Sequence, residues 1–434
     1  MGKKIAVIGG GSVYAAGIVR TFVEHADQLA GSSLVLEDLQ PGRQQTMLAL
    51  AKSLIRAKGA DLSAQATLSL DEALDGADFV ITCFRIGGYE ALKLDVSIPA
   101  RYGMYGDETS GPGGIFFALR TVPVVVDIAR RMERLCPRAF LINYANPTGF
   151  VTDAVRRTSS IEELSLCSGF LGVAHLVNQF LGLPAEDVLP VTAGVNHYTW
   201  LLHAYVKGKD VVPELLQKLI ESDTSKSGWG WQRTVDIAAA YGLIPIPGGH
   251  MADYFYRREI VERHKEVTHW GLTDPAKGHS AVWKHYEDLA KAKRPQFDMS
   301  IAGMEHFVGS VSDLALDVVV SIATDRRKVF AVNLPNVGQI SNLPHGEIVE
   351  SSALVGAFGA LPIAVGDLPA RVLPMTEMLA RSRRLAVDAA LSGDKKTLLY
   401  ALMSDPLVDS LAQVQPMMEE MLAAQARWLP QFAR

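Results

Sequence analysis

Gly9-Gly10-Gly11-Ser12 stands directly after a short apolar run, Lys4 to Ile8, and directly before a stretch of helical periodicity that reaches about Glu24. Strand, glycine turn and helix in that order constrain this chain more than any other feature. A second strand follows at Ser33 to Asp38, so the first unit is βαβ. Such a unit belongs to a parallel sheet with helices on both faces. Glycines permit the tight turn and let backbone amides approach a pyrophosphate. The helix N-terminus adds unpaired donors and a positive dipole end. Asp38 ends the second strand, where an acid bonds ribose hydroxyls, and Glu37 is its rival. The third glycine of the usual fingerprint is missing; Tyr14 and Ala15 stand there instead. Gly9, Gly10, Gly11, Ser12, Val13 and Asp38 are therefore the candidate dinucleotide-binding residues.

The alternation continues with a helix over Pro41 to Lys58, strands at Ala66 to Leu70 and Asp78 to Phe84, and a polar, Gly-rich loop from Arg85 to Gly114. A long helix from Ile115 to about Leu135 contains Pro123, which removes one hydrogen bond. Strands follow at Phe140 to Tyr144 and Leu164 to Cys167. Past about residue 190 the pattern changes. Val191 to Val195 and Trp200 to Val206 read as strands with no helix between them. Leu314 to Thr324 and Lys328 to Leu334 read as a hairpin, and the tail is helical and rich in Ala and Leu. The expected architecture is an α/β fold. A Rossmann-type doubly wound domain spans residues 1–190, and an α+β domain for substrate, metal and oligomerisation spans 191–434.

Composition removes several function classes. With 48% apolar and 21% charged residues, the chain is not a disordered one. The net charge of -5 argues against nucleic acid as a partner. Three cysteines are too few for a disulfide framework, and the apolar runs are too short for a signal peptide or a membrane span. A cytoplasmic protein with no membrane partner is expected.

Polar segments recur where parallel strands end, the usual ligand crevice of such sheets. They are Phe84-Arg85-Ile86-Gly87-Gly88, then Gly106-Asp107-Glu108-Thr109-Ser110-Gly111-Pro112-Gly113-Gly114, then Asn143-Tyr144-Ala145-Asn146-Pro147-Thr148-Gly149. Cys167-Ser168-Gly169 and Gly194-Val195-Asn196-His197-Tyr198-Thr199-Trp200 complete the series. In this order the set resembles the NAD- and manganese-dependent glycosidases of glycoside hydrolase family 4. The resemblance resumes at Gly248 to Tyr254 and at Asn333 to Glu350.

That resemblance implies a redox route to glycoside cleavage, unlike the usual pair of carboxylates. Hydride passes from sugar carbon 3 to bound NAD, a base removes the carbon 2 proton, and the aglycone is eliminated. Water then adds and hydride returns. Cys167 and His197 match the family's ligands for a divalent metal, Mn2+ by resemblance. Thiolate and imidazole suit such an ion. Tyr254 matches the general base, with Tyr256 as a rival. His250 lies one helical turn from Tyr254 and is a candidate for substrate or metal contact. Asn146 matches the residue that holds sugar hydroxyls. Glu108 and Arg85 are candidates for substrate contact, and Arg85 for the cofactor as well; a salt bridge within the fold is the plain alternative for Arg85. The chain departs from the family beside Cys167. Some members carry an Asp there as leaving-group acid, whereas Ser168 is a poor acid at neutral pH. Ser168 is instead a candidate for substrate contact. An anionic sugar glycoside (uronate, phosphosugar or sulfosugar) is the expected substrate, and a homodimer or homotetramer the expected assembly. The local sequence Gly-His-Met-Ala-Asp-Tyr looks closer to the α-galactosidase and α-glucuronidase branches than to the phospho-β-glucosidases. The competing readings are an NAD-dependent sugar or hydroxy-acid dehydrogenase of the lactate/malate dehydrogenase type, and a nucleotide sensor without chemistry.

Overall fold

The computed structural model describes residues 2–224, 229–246, 248–264, 275–301, 304–308 and 311–433. Its first half is laid out by six parallel strands: β1 (Lys4–Ile8), β2 (Ser32–Glu37), β3 (Leu62–Thr67), β4 (Phe79–Thr82), β5 (Phe140–Asn143) and β6 (Glu162–Leu166). They lie in the order β3-β2-β1-β4-β5-β6. The chain winds one way from β1 and the other way from β4. A crevice therefore opens between those two strands at their carboxyl ends. Ile5, Ala6, Val7, Val80 and Ile81 are fully buried because helices cover both faces.

The second half adds β7 (Val188–Val195), β8 (Tyr198–Val206), β9 (Lys209–Asp210), β10 (Ile244–Ile246), β11 (Lys328–Pro335), β12 (Ile348–Gly356) and β13 (Gly359–Pro362). Here β11 pairs antiparallel with β6, and β12, β7, β8 and β10 extend the sheet outward. One sheet of 13 strands thus runs through both halves. The glycine turn and the β7–β8 turn are brought to it from opposite directions. The long helix Gly111–Leu135 has the length and hydropathy of a membrane span, but 83% of its most apolar window is buried inside the fold.

Three expectations from the sequence need correction. Leu314 to Thr324 is not a strand but most of the helix Val311–Ala323. Leu314, Leu316, Val318, Val319, Val320 and Ile322 are buried in it, while Asp317 is half-buried and pairs with His25 and Lys328. The run Val318-Val319-Val320 with Ile322 is short, apolar and β-branched, so it resembles a buried strand as much as a buried helix segment. Arg85 to Gly114 is not one loop, since the helix Gly88–Arg101 interrupts it. The third strand begins earlier than Ala66, at Leu62.

Candidate active site

The glycine turn closes tightly on β2. Gly9, at φ +88°, and Gly10 both donate to the Glu37 carbonyl, at 2.9 and 2.6 Å. A Cβ on Gly9 would fall 2.4 Å from the Cys83 carbonyl, so glycine is what lets the β1 and β4 ends approach. The Gly11 amide donates to Asp38 Oδ2 at 2.9 Å, and the Gln40 amide to its Oδ1 at 2.8 Å. Asp38 stands at the half-exposed rim. Glu37 points inward, and burial followed by Asp38 pushes its carboxyl up to about 7. Ser12 bonds the buried Cys83 thiol, and the Val13 carbonyl accepts from Tyr286 at 3.1 Å.

Arg85 and Glu108 form an ion pair across the crevice, and the Arg85 guanidinium lies 4.5 Å from the Phe117 ring centroid. The salt bridge considered for Arg85 is therefore present, with its partner in the other crevice loop. Asn146 is half-buried after β5 and leads through a cis peptide to Pro147. Asn143 pins that loop. It accepts from Thr82 at 2.6 Å and donates to Ser165 at 2.8 Å and to the Ala145 carbonyl at 3.0 Å.

Cys167 follows β6. Burial first and Glu350 second push its thiol pKa up, while Asn196 and the Gly169 amide act against them. Ser168 opens a short 3-10 turn, Ser168–Phe170, and its side chain lies outside the described residues. His197 sits at φ +61° in the two-residue turn between β7 and β8. Thr109 Oγ1 lies 2.7 Å from its Nδ1, and burial pushes the imidazole pKa well down. Beside it, 4.2 Å between ring centroids, lies His250. His250 Nδ1 is 3.5 Å from Asp107 Oδ2. Burial disfavours the charge on His250, but the bond to Asp107 outweighs this and holds the pKa up at about 9. Tyr254 is buried, accepts from Ser110 Oγ at 3.2 Å, and is pushed up to about 12 by burial, with Arg383 acting against that shift. The rival Tyr256 faces elsewhere, donating to Asp236 at 3.3 Å.

Several residues at this centre were not singled out from the sequence. Asp107 and Asp253 are two of them; together with His250, already a candidate from the sequence, each offers a ligand atom, all within 4.8 Å of one another. Asp253 is raised well above the ordinary carboxyl range, by burial and then by Asp107. Its spacing from His250 (i, i+3) was the available signal. Glu350 is buried under three donors, Asn196 at 2.7 Å, Thr199 at 2.9 Å and Asn333 at 3.3 Å. Arg383 donates to the Asn196 carbonyl at 2.7 Å. Glu350 ends the segment from Asn333 that shares the family resemblance, on β12, whereas Arg383 arrives from the C-terminal helix Leu373–Ser392 with no local sequence signal toward this site.

Comparison with known proteins gives a consistent result. Residues 4–183 match the family described as "Family 4 glycosyl hydrolase", and residues 192–408 match its C-terminal domain. The chain is 33% identical to "Probable 6-phospho-beta-glucosidase" of Bacillus subtilis, over 99% of this chain and 98% of that one. It is 28% identical to an alpha-galactosidase of Rhizobium meliloti, over 99% and 90%. The local likeness of the His250 segment to the galactosidase branch is thus not matched by the chain as a whole. Among solved structures, a 6-phospho-beta glucosidase from Thermotoga maritima superposes with a TM-score of 0.86 at 24% identity, covering 98% of each chain. That structure holds manganese, NAD+ and glucose-6-phosphate. Malate dehydrogenase from Plasmodium falciparum shares the fold more distantly, with a TM-score of 0.52 at 14% identity over 90% of this chain and 99% of that one. The dehydrogenase-like architecture expected from the sequence is the one found.

Proposed function

This chain belongs to the family 4 glycosyl hydrolases, and from that premise we propose that it cleaves a 6-phosphoglucoside by reversible oxidation of the sugar, with NAD and a divalent metal as its cofactors. The observation that carries the reading is that two consecutive residues, Thr109 and Ser110, hold His197 and Tyr254 at 2.7 and 3.2 Å. Ligand and base are thereby fixed to one segment of backbone. The choice of a phosphosugar is supported by the Bacillus relative and by the sugar phosphate in the Thermotoga structure.

The residues fit both cofactors. Gly9 to Val13 and Asp38 would hold NAD, with Arg85 at its crevice end. His197, kept neutral by burial, is in the form that ligates a metal, and Cys167 would be its partner. A thiolate near Glu350 and Glu108 needs positive charge, which a dication provides. Asp107, His250 and Asp253 border the same space. When bound, NAD carries the hydride of sugar carbon 3 and the metal polarises the neighbouring oxygens. Tyr254 removes the proton from carbon 2, and the Ser110 hydroxyl stabilises the phenolate that does so. Asn146, Glu108, His250 and Ser168 orient the sugar.

The division at about residue 190 belongs to the same reading, and the breaks at 183 and 192 between the matched family domains support it. So does a cytoplasmic site of action, which three unpaired cysteines favour. A homodimer or homotetramer is the working unit we expect; light scattering tests it.

The deciding experiment incubates the protein with nitrophenyl 6-phosphoglucosides of both anomers, catalytic NAD and Mn2+ in deuterium oxide. Nitrophenol release without net NADH, together with deuterium at carbon 2 of the product, is expected. NADH formed in proportion to product overturns the reading in favour of a simple dehydrogenase.

A further inference from the structure

We propose that the C-terminal tail positions the Arg85–Glu108 pair, acting through Gln425 and Trp428. The claim rests on the glycosidase reading only for what that pair touches. The match to the family's C-terminal domain ends at residue 408, short of both residues.

Asp95, on the helix Gly88–Arg101, and Arg120, on the helix Gly111–Leu135, form a bidentate ion pair with no exposed side-chain surface. Such a pair is tolerated only when its remaining donors and acceptors are also met. Gln425 meets them from the tail. Its carbonyl oxygen accepts from Arg120 Nη1, and its amide donates to Asp95 Oδ1 at 2.9 Å. Gln425 is itself fully buried.

This node grips both crevice loops. Arg120 Nε donates to the Ile86 carbonyl at 3.3 Å, next to Arg85. The Asp95 carbonyl packs against Gly106 and Gly113, where a Cβ would come within 2.5 and 2.9 Å of it. Those glycines bracket Asp107 to Ser110. Phe117 lies between the two cations, 4.5 Å from the Arg85 guanidinium and 5.3 Å from that of Arg120. Three residues beyond Gln425, the Trp428 ring covers Gly87, its atoms 3.4 Å from the place of a Cβ. Arg427 stacks on Trp428 at 3.9 Å and pairs with Glu90. Buried Leu429 and Phe432 already seat the tail by apolar packing. A buried amide shared between Asp95 and Arg120 is not needed for docking, but it does orient the two helices that start and end the crevice loops.

Hydrogen–deuterium exchange on the full chain, and glycoside kinetics referred to NAD-binding sites, test this on Gln425→Ala, Trp428→Ala and Trp428→Phe. Both alanine variants should speed exchange at residues 85–88 and 106–110 while leaving 9–13 unchanged. They should also raise KM for the nitrophenyl 6-phosphoglucoside about tenfold, as expected for a misplaced contact group. Trp428→Phe should stay close to wild type in both readouts. Trp428→Ala, at a half-buried site, carries the test if Gln425→Ala does not fold. Unchanged exchange over 85–110, or an unchanged KM in a folded alanine variant, overturns the proposal. Wild-type protein that turns over no glycoside overturns the glycosidase reading instead, and the exchange data still decide whether the tail holds the loops.

Discussion

The hydroxyl of Ser110 donates to the phenol oxygen of Tyr254 across 3.2 Å, within a buried site. A hydrogen bond to the phenolate favours the basic form that, in the proposed reaction, takes a proton from carbon 2. Tyr254→Phe should abolish deuterium incorporation at that carbon and reduce kcat by about 10²- to 10⁴-fold, the usual worth of a positioned base. Ser110→Ala should keep some activity but shift the rising limb of the kcat/KM pH profile to higher pH, since Tyr254 then loses a group that lowers its pKa. An unmoved limb would assign the base elsewhere.

Gly11 and Asp38 are coupled in the same direct way at the nucleotide end. A Cβ on Gly11 would lie 2.9 Å from the Asp38 carboxylate and 3.1 Å from the Gln44 amide. Gly11→Val should therefore expel Asp38 from its place and weaken NAD binding by at least about tenfold, through the acid as much as through the pyrophosphate. Asp38→Asn leaves the turn intact and removes only the negative charge. Titration should then show NADP gaining relative to NAD, because the repulsion of a 2′-phosphate is gone. Equal discrimination in wild type and Asp38→Asn would move the ribose contact to another residue.

The geometry of the glycine turn and Asp38 is legible in the sequence because its determinants are local. Glycines, strand and acid lie within Lys4 to Asp38, and the helix Pro41–Lys58 was bounded correctly. The chemical centre was legible only in part. Cys167, His197 and Tyr254 stand in recognisable segments, whereas Asp253 passed unnoticed beside Tyr254, and Glu350 and Arg383 come from distant elements. The helix Val311–Ala323 reads as a strand because Val318-Val319-Val320 and Ile322 form a short apolar, β-branched run, which periodicity alone does not separate from a buried helix segment. Gln425 had no sequence signal. A buried amide is identified by the ion pair it satisfies, and Asp95 and Arg120 meet it only in three dimensions.

Cys167 sits where an unneutralised thiolate is disfavoured by burial and by Glu350. Cys167→Ala should remove metal-dependent turnover while leaving NAD affinity within about twofold, since the nucleotide turn follows β1 and the cysteine follows β6, with β4 and β5 between those strands. Elemental analysis after dialysis gives a readout independent of activity, and the variant should retain less Mn2+ than wild type. Equal metal content in both proteins would shift the ligand set toward Asp107, His250 and Asp253.

Glu163 offers a pH test of the fold that does not involve the site. It lies on β6, is fully buried, and accepts from Ser165 and, at 3.4 Å, from Thr152. Burial pushes its carboxyl up to about 7 from an ordinary 4.5. Below 4.5 the folded and unfolded chains are both protonated, and the residue does not discriminate between them. Between 4.5 and 7 the unfolded chain ionises while the folded one does not, so stability falls as pH rises and levels off above 7. Glu163→Gln removes that penalty but keeps the acceptor used by Ser165. Its advantage over wild type in chemical denaturation should grow by about 2 kcal/mol between pH 5 and pH 8. A difference between the two proteins that stays constant over that range would mean that the carboxylate is already ionised in the folded state, stabilised by Arg156.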